Sequence, residues 1–179
     1  MIRAYGALHL AWATARHRLI SHRCAMQRFF GFSDLAKRLI IMHAEDVNAK
    51  CRGDSTPLHA ASLMGHIDAA NVLLEYGADI DVKKDGGLTP LHIASIHRHH
   101  KVVQSLLKHG AAVDARSDFS DTPIYYASLN GYLEVARILL DHGADVNTRG
   151  RFGTPFQMAT ERGHYDTARL LQDHGAEIQ

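Results

Sequence analysis

Three imidazoles in four residues, His97-Arg98-His99-His100, are the densest group of side chains able to do chemistry in this chain. Neutral imidazole suits transition metals, and His66 stands 33 residues before His99. Metal chemistry needs a defined ligand set, however, and no cysteine or carboxylate pair completes a tetrahedral one here. The fourteen histidines also fall into register. His66, His99 and His164 share one recurring position, with Tyr132 between them; His59 and His92 share a second, and His109, His142 and His174 a third. Recurrence marks these side chains as parts of a repeated structure. The expectation is therefore no metal, no cofactor and no catalytic residue. No nucleophile–base pattern or phosphate-binding lysine motif appears, and Gly86-Gly87 falls at a turn rather than before a suitable helix N-terminus.

The elements that carry these residues follow from one phrase. Thr-Pro-Leu-His stands at Thr56–His59 and Thr89–His92, and returns altered as Thr122-Pro123-Ile124-Tyr125 and Thr154-Pro155-Phe156-Gln157. The threonines step by 33, 33 and 32 residues, and Gly77, Gly110, Gly143 and Gly175 step identically. A period of this length signals a stacked array. Threonine caps a helix whose first turn accepts proline, because the missing N–H had no partner there. That helix is short, Leu58–Met64 in the first unit, and stops at Gly65, whose counterparts are Arg98, Gly131 and Gly163. The stop position requires a left-handed residue, so Arg98 costs about 1 kcal/mol there. Second helices follow over Ile67–Tyr76, His100–His109, Leu133–His142 and Tyr165–His174, each with helical apolar spacing and a terminating glycine. Between units lie polar stretches, Lys50–Ser55, Lys83–Leu88, Arg116–Asp121 and Arg149–Gly153, that read as turns or hairpins.

Thr-Pro-Leu-His-Ala-Ala, the Gly-His pair, Leu-Leu-x-x-Gly-Ala-Asp and the 33-residue step resemble the ankyrin repeat. The likeness is strong over Asn48–Gln179 and weak over Met1–Val47. It implies an all-α repeat solenoid of helix–turn–helix–hairpin units. In it hairpins project as fingers, first helices line a concave face and second helices form the convex back. It also implies that His59 and His92 hydrogen-bond within their own turn and to the next hairpin's backbone. Tyr125 and Gln157 depart from that pattern. Histidines so placed are neutral, and their stabilisation is lost as pH falls below about 6.5.

The array divides into four repeats, roughly 48–82, 83–115, 116–148 and 149–179, behind a degenerate repeat in residues 1–47. In the latter, Gly6–Ala11 resembles a repeat start and Gly31–Ile40 a second helix, with an insertion near residues 12–27. Phe29, Phe30 and Phe32 cluster there, whereas the last helix, Tyr165–His174, is more polar than its predecessors, as the outer face of a terminal repeat requires. Residues 1–28 are arginine-rich and acid-free, which leaves organellar import open. Cys24 and Cys51 form no disulfide framework, so an intracellular setting is expected, the cytoplasm ahead of the nucleus. A net charge of +1 argues against nucleic acid, and no apolar stretch is long enough for membrane insertion.

What remains for function is surface. Positions that differ between units are free of the fold's demands. They lie on the hairpins (Arg52, Ser55; Asp85, Leu88; Asp118, Phe119, Asp121; Arg151, Phe152) and at the ends of the first helices (Leu63, Met64; Ile96, His97; Leu129, Asn130). Leu63, Ile96 and Leu129 recur one repeat apart and are expected to form an apolar strip. The expectation is a monomeric, non-enzymatic scaffold, adaptor or inhibitor that binds an unidentified protein partner through these residues. Leu63, Leu88, Ile96, Phe119 and Leu129 are the expected anchors, and the flanking charges set partner choice. The alternative is a fragment or regulatory arm of a larger signalling protein or enzyme.

Overall fold

The computed structural model describes residues 47–50 and 52–177. The expectations for the interrupted first repeat, the insertion near 12–27, Cys24, the Phe29–Phe32 cluster and Cys51 lie outside the described residues. Each Thr-Pro pair opens a helix: α1 (Pro57–Met64), α3 (Pro90–Ile96), α5 (Pro123–Leu129) and α7 (Pro155–Glu161). Each is followed at once by a partner: α2 (Ile67–Glu75), α4 (His100–Lys108), α6 (Leu133–Asp141) and α8 (Tyr165–Asp173). Helices this short are marginal alone in water, so packing must stabilise them. First helices stack on first helices and second on second, giving two layers and an all-α repeat solenoid.

The core repeats with the sequence. Leu58, Leu91 and Ile124 are fully buried at one rung. Ala61, Ala94, Ala127 and Ala159 are fully buried at another, where small side chains let the first helices approach. Leu73, Leu106, Leu139 and Leu171 form the matching rung of the second layer. Phe156, the counterpart of Ile124, is only half-buried. Gln172 is exposed where Leu107 and Leu140 are buried, so the outer side of the last pair is polar at that rung.

The first-to-second helix turn is left-handed in every unit: φ is +72° at Gly65, +62° at Arg98, +69° at Gly131 and +74° at Gly163. Arg98 therefore does adopt the conformation expected to strain it. The reason for glycine at Gly65 and Gly131 is also steric, since a Cβ at either would run into the ring of His99 or His164 in the next unit. Where Arg98 supplies a Cβ, the next unit carries Tyr132, and the guanidinium lies 5.8 Å from its ring centroid. The substitution is thus matched across the repeat boundary.

The polar stretches form a 3₁₀ turn at Arg52–Asp54 and hairpins closed by Lys84–Leu88 and Gly150–Gly153 bridges. Successive hairpins are bonded to each other. The Asp85 N–H donates to the Gly53 carbonyl at 3.0 Å, and the Asp118 N–H donates to that of Gly86 at 3.1 Å. Behind them a second ladder ties units together. Side-chain oxygens of Asn48, Asp81, Asp114 and Asn147 accept from the backbone N–H of Asp79, Ala112, Asp145 and Glu177 at 2.8, 3.0, 3.1 and 3.0 Å. Among the described residues no helix is long and apolar enough to cross a membrane.

Candidate interaction surface

The recurring histidines serve the fold. The Nδ1 of His92 accepts from the Thr89 backbone N–H at 3.2 Å, and its Nε2 lies 3.1 Å from the Asp121 carbonyl oxygen. A backbone amide only donates and a carbonyl only accepts, so the ring is neutral with its hydrogen on Nε2. Burial holds its pKa down, to about 4, against the opposing pull of the Asp121 carbonyl. His59 repeats the arrangement with the Thr56 N–H at 3.2 Å and the Leu88 carbonyl at 3.0 Å, and burial lowers its pKa too.

The two departures behave differently. The Oε1 of Gln157 accepts from the Thr154 N–H at 2.9 Å, so the cap is kept. Tyr125 makes no such box; its buried ring instead fills space beside Gly150, where a Cβ would strike it. His109, His142 and His174 donate through Nδ1 to carbonyls four residues back (2.9, 2.8 and 2.8 Å), closing the last turns of α4, α6 and α8, whereas α2 has Tyr76 at that position. In the His97–His100 cluster, the His97 and His99 rings stack at 6.3 Å, and the His99 Nε2 lies 3.0 Å from the Leu63 carbonyl oxygen. Among the described residues no group of three or more His, Cys, Asp or Glu is placed to hold a metal ion.

The variable positions divide by depth. Arg52, Asp85, Asp118 and Asn130 are exposed, and the Asn130 amide donates to the Tyr126 carbonyl at 2.8 Å. Leu63 and Met64 are exposed, whereas Ile96 and Leu129 are half-buried. The expected apolar strip is therefore open at its first member and partly folded into the stack at the other two. Ser55 and Leu88 are half-buried, and the Leu88 carbonyl is the one that holds His59. His97 is exposed; partial burial, then His99 and Lys84, lower its pKa.

Asp121 requires correction. It was expected at the surface of its hairpin, yet it is buried, with 2% exposure. One carboxylate oxygen accepts from the Arg151 backbone N–H at 2.7 Å, and the other from the Tyr126 hydroxyl at 3.1 Å. A short acid in a polar hairpin reads as solvated. Here its side chain turns inward because the neighbouring hairpin presents an amide donor that it can satisfy. Tyr126, which had no assigned role, thereby helps to orient this corner, with its ring edge-on to His92 and Tyr125 at 6.0 and 5.7 Å.

Across that corner stands the most unusual exposed group. The guanidinium of Arg151 lies over the Phe119 ring, 3.4 Å from its centroid, and 5.5 Å from that of Phe152. The two rings are 53% and 69% exposed. The third and fourth hairpins thus present one continuous aromatic and cationic surface. A family model described as ankyrin repeats (3 copies) matches residues 21–117 and 112–179. No curated protein matches the chain.

Proposed function

The chain belongs to the ankyrin repeat family, whose repeats are generally protein–protein interaction modules, and on that premise we propose that it is a non-enzymatic binding module. In this reading it acts as scaffold, adaptor or inhibitor, and a partner protein docks on the hairpins and first-helix ends. One observation carries it. Of the six large hydrophobic side chains that the described residues leave exposed, four, Leu63, Met64, Phe119 and Phe152, lie on hairpins or first-helix ends, and the other two, Tyr76 and Tyr165, lie at second helices. Exposed apolar groups rimmed by charge are a usual mark of a protein-binding surface. The stack holds them in place before encounter, so little ordering entropy is lost on binding. Arg52, Asp85, Asp118 and Arg151 frame the surface and govern orientation.

A second reading is a regulatory arm of a larger protein, favoured by the aromatic surface of the last helix pair, where Phe156 is half-buried and Tyr165 is 75% exposed. The test is a quantitative pull-down from lysate of the source cells, with the wild-type chain and a Leu63→Glu, Met64→Glu chain of unchanged circular dichroism. A protein recovered by the first bait and lost from the second supports the module. Identical recoveries, or none, remove the first-helix ends from the binding surface.

A further inference from the structure

The Phe119–Arg151–Phe152 group narrows what the partner must offer, an inference that rests on the binding reading above. The geometry leaves the hydrogen-bond donors of the Arg151 guanidinium unused, although the group stacks on Phe119 and makes a weak ion pair with Asp121. The nearest carboxylate oxygen, on Asp121, lies 3.8 Å from the Arg151 Nη2, beyond hydrogen-bonding distance. That carboxylate instead takes the Arg151 backbone N–H and the Tyr126 hydroxyl. A guanidinium has five N–H donors in one plane, and among the described residues this one makes no hydrogen bond through its side chain. Phe119 covers one face, and Phe152 stands nearby. What stays open is the donor edge, on a side chain that is 39% exposed and stacked on the Phe119 ring. A planar, two-pronged acceptor fits such an edge.

Charge distribution independently selects the sign of the partner. Over the hairpins and first helices (residues 50–65, 83–98, 116–131 and 149–163) there are nine Lys or Arg against five Asp or Glu. Over the second helices and the turns that follow (66–82, 99–115, 132–148 and 164–177) there are four against eleven. One of the five acids on the first side, Asp121, is buried. The layer that bears the platform attracts an acidic segment, and the opposite layer repels it. So modest a cationic excess does not suit the dense phosphate rails of nucleic acid.

We propose that Phe119, Arg151 and Phe152 form a preorganised platform for an acidic segment of a partner protein. An Asp or Glu carboxylate of that segment pairs with the donor edge of Arg151, and an adjacent aromatic side chain lies against the exposed rings. Interface hot spots are enriched in arginine and aromatic residues for this combination of area and directed hydrogen bonds.

The experiment pans a phage-displayed library of random dodecapeptides on the full chain, then measures binding of the selected sequences as synthetic peptides by fluorescence anisotropy. The expected result is enrichment of acidic residues beside aromatics, with affinity falling at least about tenfold for Arg151→Gln and Phe119→Ala. Arg151→Lys, which keeps the charge but not the planar fork, is expected to lose nearly as much. The backbone N–H that anchors Asp121 survives all three changes, and circular dichroism checks the fold. Selected peptides of another composition that are insensitive to Arg151→Gln but lost with Leu63→Glu overturn the platform while leaving the wider binding surface standing. No enrichment overturns the platform alone, since the lysate experiment reads the wider surface separately. Tighter, Arg151-dependent binding of a 20-nucleotide single-stranded DNA or of a phosphoserine peptide overturns the carboxylate assignment.

Discussion

Single side chains carry the ties between units, and two of them make the energetics measurable. His92 has a folded pKa near 4 against an unfolded value of about 6.5. A lowered pKa means that the unfolded chain takes up the proton first as the solution is acidified. The contribution of His92 is thus fully present above about pH 6.5, drains away as pH falls towards 4, and is on the order of 3 kcal/mol in total. Urea midpoints at pH 7.5, 5.5 and 4.5 should fall in that order, and His92→Gln should flatten the difference. An unchanged midpoint would mean that the histidine is not held neutral. Asp114 offers the opposite sign. Its pKa is raised, chiefly by burial and further by the charge of Asp145, against the lowering pull of the Asp145 backbone N–H, so its charged form is disfavoured in the fold at neutral pH. Its counterparts Asn48 and Asn147 use the same oxygen contact and add an amide donor to the Gly77 and Gly175 carbonyls, at 3.4 and 3.2 Å. Asp114→Asn should therefore stabilise at pH 7 by about 0.5–1 kcal/mol through one added hydrogen bond. The gain should shrink as acid neutralises the wild-type carboxylate, and equal midpoints at pH 7 would refute it.

Helix boundaries were legible because they depend on local chemistry: a threonine cap, a proline in the first turn and a left-handed stop. Contacts between units were less so, because they join residues about one period apart whose types give no local sign of pairing. Gly65 with His99, Arg98 with Tyr132 and Gly131 with His164 are one contact with different occupants. Sequence spacing placed each residue in register without showing that its opposite number decides its size. The inward turn of Asp121 was hidden for the same reason, since its acceptor oxygens are satisfied from the next hairpin. The four ties from Asn48 to Asn147 did carry a signal, an Asp or Asn recurring in every unit, that went unassigned. Two glycines separate local from pairwise cost. Gly131 and Gly163 have nearly equal positive φ, yet a Cβ meets the His164 ring at Gly131 and nothing within 4 Å at Gly163. Gly163→Ala should cost about 1 kcal/mol, the backbone strain alone. Gly131→Ala should cost clearly more, about 2–3 kcal/mol, because it adds displacement of a packed ring. Equal urea midpoints for the two variants would show that the ring moves aside freely.

At the scale of the whole molecule, a core shared only between neighbours makes stability a property of joints rather than of a centre. Each joint between the described repeats has the alanine and leucine rungs in common, so differences must come from the polar ties. The joint between the third and fourth repeats depends most on one residue. Asp121 accepts from the Arg151 amide and the Tyr126 hydroxyl, while its own carbonyl holds His92. Removing the carboxylate leaves an amide at a hairpin and a partly buried hydroxyl without their acceptor, and forfeits the weak ion pair with Arg151. Asp121→Ala should accordingly lower stability by about 2–4 kcal/mol. The loss should also be local in a way that a compact core would not permit. A linear array with one weakened joint opens there, so residues 149–177 should exchange amide hydrogens well before residues 90–110. Hydrogen-exchange mass spectrometry of the variant reads this directly. Uniform acceleration along the array would mean that the repeats unfold as one unit whatever joint is cut. Faster exchange confined to the fourth repeat would mean that the buried acid couples it to the rest.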